Sequence, residues 1–190
     1  MTTLYLHGFC SSPKSDKGIL LERAHHESGI RFIAPAMHCG PKKASEIIME
    51  AIKDVDPADL VIIGSSLGGF YATWLAEKLS ARAVLLNPAV MPWRVVGDNL
   101  GKHRVHVEDI EIEVLPEHLD ELREMEVTEL ERPRNYVTIL GTNDEVLDWT
   151  EGRDFYRDTE QWIIEGADHR LSDFSSILPR IMEICRKFPD

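Results

Sequence analysis

Gly64, Ser66 and Gly68 hold the fixed places of a G-x-S-x-G pattern, inside the stretch Asp59-Leu60-Val61-Ile62-Ile63-Gly64-Ser65-Ser66-Leu67-Gly68-Gly69-Phe70. The chemistry such a pattern carries is nucleophilic. A serine on a sharp strand-to-helix turn takes a strained backbone conformation and presents its hydroxyl above a sheet. The positions two before and two after it are pressed together, and glycine is the residue without a Cβ. The first N–H groups of the following helix, with its positive dipole end, then face the reacting oxygen. The competing reading is a plain glycine-rich turn. An apolar run over 60–63 ahead of Ser66 and a helical pattern through Glu77 behind it favour the nucleophile.

A serine hydroxyl needs a base, and the base needs an orienting carboxylate. Asp144 follows the apolar run 136–140, and His169 follows the run 161–164. Both stand where a parallel sheet would deliver them, just after strands, in the chain order Ser, Asp, His. Asp148 reads as the N-cap of a helix starting at Trp149, and Glu145 and Asp168 read as solvated loop charges. His25 and His26 are expected on a helix surface, His38 in a loop, and His103, His106 and His118 in an irregular segment. The oxyanion formed by attack on a carbonyl needs two N–H donors. Leu67, the residue after the nucleophile, supplies one. Phe9 is expected to supply the other, from the loop His7-Gly8-Phe9 after the first strand, where Gly8 allows close approach. His7 and Cys10 are expected to be packed, structural side chains. The adjacent His38-Cys39 pair lacks further ligands nearby, so no metal is expected.

The elements that must position these groups follow from periodicity. Short apolar runs at 3–6, 31–34, 60–63, 82–87, 136–140 and 161–164 alternate with helical patterns at about 15–27, 43–53, 66–79, 149–156 and 172–187. In the first helix Ile19, Leu20, Arg23 and Ala24 mark the expected buried spacing. Strands that are apolar almost throughout imply a mostly parallel sheet of about six strands with helices on both faces. Ligands in such sheets sit at the carboxyl ends of the strands. The chain order of the three groups is the one expected of an α/β-hydrolase fold. Residues 1–190 read as a single domain of that fold, with a lid-like insertion at about 91–134 after the fourth strand.

The insertion belongs to neither a strand nor one helix by its pattern, and it concentrates the acidity. Residues 107–132 hold eleven Asp/Glu and two Arg, a net of −9, in a chain whose net charge is −12. Ile110, Ile112 and Val114 alternate with glutamates, and Leu119, Leu122 and Met125 recur every three positions, so one face should pack and the other meet water. As a partial lid it would repel anionic substrates. The alternative is a solvated excursion away from the site.

Composition closes off other classes. The negative balance argues against a nucleic-acid partner, and no apolar run reaches the ~20 residues of a membrane span. Three scattered cysteines, Cys10, Cys39 and Cys185, point to reduced thiols, not a disulfide frame or zinc site. With no signal-like segment before Leu4, a cytoplasmic location is expected. No metal or organic cofactor is required by the chemistry above.

Taken together, the chain resembles the YqiA-like esterase family of small α/β-hydrolases. The matching segments are Leu4-Tyr5-Leu6-His7-Gly8-Phe9 with Ser11-Ser12-Pro13, and Gly64-Ser65-Ser66-Leu67-Gly68-Gly69 with Tyr71-Ala72-Thr73-Trp74-Leu75. Asn87-Pro88-Ala89-Val90, Asp144-Glu145-Val146-Leu147-Asp148, Gly166 and His169 complete the set. The pattern departs from the family between about 103 and 132. The resemblance implies a compact hydrolase core acting on carboxylic esters or thioesters of small molecules, with Ser66, Asp144 and His169 in the catalytic roles. The expected activity is that of a serine esterase. Thioesters or activated amides are alternative substrates, and a binding module that keeps the fold is the alternative from another class.

Overall fold

The computed structural model describes residues 1–105 and 107–187. His106, expected in the irregular segment, lies outside the described residues. Six strands form one parallel sheet: β1 (Thr2–Leu6), β2 (Arg31–Ile33), β3 (Leu60–Ser65), β4 (Arg82–Leu86), β7 (Tyr136–Gly141) and β8 (Glu160–Ile164), in the order β2-β1-β3-β4-β7-β8. Two further strands, β5 (Gly101–Arg104) and β6 (Glu111–Val114), pair antiparallel as a separate hairpin.

Successive side chains of a strand point to opposite faces, and here both faces are covered. Leu4, Leu6, Leu60, Ile62, Ala83 and Leu85 enter one core. Tyr5, Val61, Ile63, Val84, Leu86, Val137 and Ile139 enter the other. That double burial is why the inner strands carry apolar residues at nearly every position. The first core is closed by α2 (Pro41–Ala51), through Ala44 and Ile48, and by α3 (Leu67–Leu79), through Phe70, Ala72 and Leu75. Phe155 of α6 (Trp149–Phe155) packs at its margin. The second core is closed by α1 (Asp16–Ser28), through Leu21, and by α7 (Phe174–Arg186), through Phe174, Ile181 and Ile184.

The buried face of α1 differs from the expected one. Leu21 and His25 are fully buried, while Ile19 is 52% exposed. His25 is therefore not a surface residue. Its Nδ1 donates to the Leu21 carbonyl at 2.7 Å and its Nε2 accepts from the Thr3 hydroxyl at 2.9 Å. With both nitrogens satisfied the neutral ring can be buried, and burial holds its pKa below the usual histidine value.

The insertion is also more ordered than its pattern implied. It contains α4 (Pro92–Gly97), the β5–β6 hairpin and α5 (Glu117–Glu124). Val114, Leu122 and Met125 are buried in the first core, with Leu119 packed against it. Most of the acidic residues face water. At the hairpin, Glu108 accepts from the Ser12 hydroxyl and pairs with Lys14 Nζ at 3.2 Å, tying the insertion to the loop after β1.

Strand order sets the place of the site. From β1 the chain crosses to β2 on one side, then returns to β3 on the other, with Leu6 paired to Gly64 at the carboxyl ends. The loops after β1 and β3 diverge there and leave a crevice between them.

Candidate active site

Ser66 stands at the head of α3 with φ 56° and ψ −120°, a conformation that non-glycine residues rarely adopt. The fold holds it there by its backbone. Its N–H donates to the Leu86 carbonyl at 3.0 Å, and its carbonyl accepts from Gly69 at 2.8 Å and Ala89 at 3.1 Å. The motif glycines are close contacts. A Cβ on Gly64 would lie 2.3 Å from the Gly68 carbonyl oxygen, and one on Gly68 would lie 2.0 Å from that of Leu6.

His169 Nε2 lies 3.0 Å from Ser66 Oγ. Its Nδ1 lies 2.9 and 2.8 Å from Asp144 Oδ1 and Oδ2. Asp144 Oδ1 also accepts the Val146 N–H at 2.9 Å and the Leu147 N–H at 2.8 Å. The carboxylate is thus fixed by two main-chain donors before it meets the imidazole. Its side chain is 1% exposed and that of His169 is 14% exposed. With a carboxylate on Nδ1, that nitrogen carries the proton and Nε2 is left to accept from the serine. The three residues expected to meet do meet. Asp148 is elsewhere, its carboxylate accepting from the Thr150 N–H at 2.9 Å as the cap of α6.

The loop after β1 passes close to the serine. A Cβ on Gly8 would sit 3.2 Å from Ser66 Cβ, so the next residue, Phe9, borders the same cavity as Ser66 and Leu67. The Phe9 N–H has no acceptor among the described residues, and the Leu67 N–H is the first of its helix, where no preceding turn can accept it. His7 is buried behind this loop. Its Nε2 accepts the Met37 N–H at 2.9 Å, so its Nδ1 bears the proton and donates to the Gly8 carbonyl at 2.9 Å. Burial is the main cause that lowers its pKa to about 4, so a neutral ring braces the loop.

Two residues with a part in this geometry were not singled out for it in the sequence. Asn87, at φ 42°, donates through Nδ2 to the carbonyls of Asp168 (3.1 Å) and His169 (3.0 Å) and accepts the Gly141 N–H at 2.8 Å. Its only sequence signal is Asn-Pro directly after a strand at the carboxyl edge. Glu145, read as a solvated charge, accepts the His169 N–H at 3.0 Å. Asp168 turns away, its carboxylate accepting from Ser172.

Ser66, His169, Phe9 and Leu67 open onto a cavity of about 550 Å³. Ala89, Pro92, Val95, Val96, Val146 and Leu147 supply apolar lining, while Ser11, Ser15, Asp16, Lys17, Glu145 and Arg170 supply polar lining. The insertion contributes Pro92, Val95, Val96 and Val107, and none of its acidic side chains borders this cavity. His7, Cys10, His38, Cys39 and His118 line a second cavity of about 40 Å³ behind the loop. Among the described residues no three His, Cys, Asp or Glu side chains are grouped to hold a metal.

A doubly covered parallel sheet with a serine on the strand-to-helix turn after β3 is the α/β-hydrolase fold. Solved structures share it. A structure described under the metagenome-derived lipolytic enzymes LipS and LipT is similar with a TM-score of 0.73 at 20% identity, over 98% of this chain and 93% of that one. Alpha/beta hydrolase domain-containing protein 10 from mouse matches with a TM-score of 0.71 at 14% identity, over 99% and 90%. Est1E from Butyrivibrio proteoclasticus matches with a TM-score of 0.66 at 15% identity, over 97% and 87%. At these identities the likeness is one of fold. Within the fold, residues 2–186 match the model of the uncharacterised protein family UPF0227. The chain belongs to that family, which is the YqiA family its motifs resemble.

Proposed function

We propose that the protein is a serine hydrolase cleaving carboxylic esters through an acyl-enzyme, with residues 1–190 acting as one hydrolase domain in the cytoplasm. The observation that carries the reading is the unbroken chain of hydrogen bonds from Asp144 through His169 to the Ser66 hydroxyl. His169 Nε2 takes the Ser66 proton as Oγ attacks the acyl carbon. The carbonyl π electrons move to oxygen, and the Phe9 and Leu67 N–H groups stabilise that charge. The imidazolium formed is stabilised by Asp144, then gives its proton to the departing alkoxide. Water enters, His169 takes its proton, and a second tetrahedral collapse frees the acid and restores the serine. The apolar lining from Ala89, Val95 and Leu147 suits a hydrocarbon portion of the ester. No step calls on a metal or organic cofactor.

A fluorophosphonate probe tests the nucleophile. Wild type should be labelled on Ser66 and Ser66→Ala should not, with ester hydrolysis lost in parallel. Equal labelling of the two, or persistence of hydrolysis in Ser66→Ala, would reject the assignment.

A further inference from the structure

We propose, resting on the esterase reading above, that the cavity at Ser66 takes esters carrying a carboxylate, which Lys17 binds through Nζ with Arg170 beside it. Lys17 and Arg170 both border the cavity that holds Ser66. Lys17 occupies the second position of α1, where the positive end of the helix dipole disfavours a cation. Its side chain is half-buried, a further cost to an ammonium. A lysine placed against both preferences marks a position whose residue serves something other than helix stability.

The surroundings leave Nζ without a carboxylate in direct contact. Nζ donates to the Arg170 carbonyl at 2.7 Å, which uses one of its three donors. Lys17 makes no ion pair among the described residues. The carboxylates around it are turned to other donors: Asp168 to Ser172, Glu145 to the His169 N–H, and Asp144 to the imidazole. Asp16 and Glu145 also border the cavity, and both are exposed. Burial lowers the Lys17 pKa to about 8, with Asp168 and Asp144 opposing and Arg170 adding to the fall. An anion arriving in the cavity would meet a cation whose remaining donors are held by no acceptor among the described residues.

The apolar lining from Pro92, Val95 and Leu147 then suits the hydrocarbon end, with the ester carbon at Ser66 between the two. The chain's net charge of −12 draws no anion by its general field, so selection for a carboxylate has to be local. The carboxylate can belong to the acyl half or the alcohol half of the ester, and matched substrates separate the two.

The test compares a monoester of a dicarboxylic acid and an ester of a hydroxy acid, each against its methyl-capped neutral counterpart. Wild type, Lys17→Met and Lys17→Arg are assayed. In wild type one of the two pairs should favour the anionic member in kcat/KM by roughly tenfold or more, the scale of one charge-assisted hydrogen bond. That ratio should collapse toward one in Lys17→Met and recover partly in Lys17→Arg. Because the readout is a ratio, loss of folded enzyme cancels. No anionic preference in either pair, or an unchanged ratio in Lys17→Met, overturns the proposal. A calorimetric titration with the two amide isosteres, a dicarboxylic monoamide and an N-acyl amino acid, needs no turnover. Tight binding of one isostere to wild type and at least tenfold weaker binding to Lys17→Met supports the site; equal binding to the two proteins, or no binding of either isostere, rejects it. Failure of Ser66 to react with a fluorophosphonate would instead reject the esterase reading, while the titration still reads the anion site.

Discussion

Asn87 Nδ2 donates to the His169 carbonyl at 3.0 Å, and Asn87 Oδ1 accepts the Gly141 N–H at 2.8 Å. One side chain at the end of β4 thereby joins the loop carrying the proposed base to the end of the strand that leads to Asp144. Its own N–H reaches across to the Ile139 carbonyl at 2.9 Å, and it is 2% exposed. Asn87 is a positioning residue: it touches no reacting atom but fixes the main chain on both sides of the His169–Asp144 pair.

Asn87→Asp keeps the acceptor for Gly141 and loses both donors to the base loop, leaving the His169 carbonyl without its partner while that of Asp168 keeps the Leu171 N–H. Such a loss costs on the order of 1–3 kcal/mol. The melting temperature should fall. In the fraction still folded, kcat should drop by at least roughly tenfold with KM little changed, because the base is displaced and the cavity is not. A fall in stability with normal kcat would reduce Asn87 to a purely structural part.

The two aspartates after β7 should separate cleanly. Asp144→Asn should lower kcat by about four orders of magnitude with the fold intact, since an amide facing Nδ1 favours the wrong imidazole tautomer. Asp148→Asn should change kcat by less than about twofold, because asparagine also caps a helix. Circular dichroism and steady-state kinetics on both variants check this. The reverse ranking would exchange the roles of the two residues.

What could be read in the sequence was local. The turn at Ser66 is spelled by an apolar run, two glycines and a helix within a dozen residues, so its geometry was legible there. Asp144 and His169 were legible because a parallel sheet delivers its chemistry just after strands. Asn87 was not, because its partners Gly141, Asp168 and His169 come from distant parts of the chain and its type only marks a turn. His25 was misplaced because histidine on a polar-looking helix reads as exposed; only the tertiary partner Thr3 makes its burial affordable. The β5–β6 hairpin was missed because its strands are four residues each, half exposed, and spelled with alternating charges.

His7 makes folding pH-dependent. Its pKa falls from the ordinary histidine value of 6.5 to about 4 in the folded protein. Between those values the unfolded chain binds the proton and the folded chain does not, so stability falls as pH falls. The contribution is complete above about 6.5 and is lost by about 4, a span worth up to about 3 kcal/mol. His7→Gln keeps an acceptor and a donor but does not titrate. The melting-temperature difference between wild type and His7→Gln should therefore shift in favour of the variant as the pH is lowered from 7 to 4. His25, which is also depressed by burial, is present in both proteins and cancels. A difference independent of pH would mean that His7 is not held neutral by the fold.

The acidic insertion should act on substrates at a distance. Its apolar residues Pro92, Val95, Val96 and Val107 form part of the cavity wall, and no glutamate of the segment joins them. Any charge effect must then pass through solvent, where screening at 0.1 M salt cuts it off beyond about 10 Å. Glu113, Glu117, Glu124 and Glu126 are exposed, and changing all four to Gln removes four negative charges. At about 10 mM ionic strength, where the Debye length is about 30 Å, the quadruple variant should raise kcat/KM for an anionic ester by a few-fold over wild type. At about 0.3 M salt the gain should vanish, and a matched neutral ester should respond at neither salt. This separates the distant field from Lys17, whose contact with the substrate carboxylate is short and shielded and should outlast the salt. If neutral and anionic esters rose together, the glutamates would be acting through the packing of α5 and the hairpin instead of through their charge.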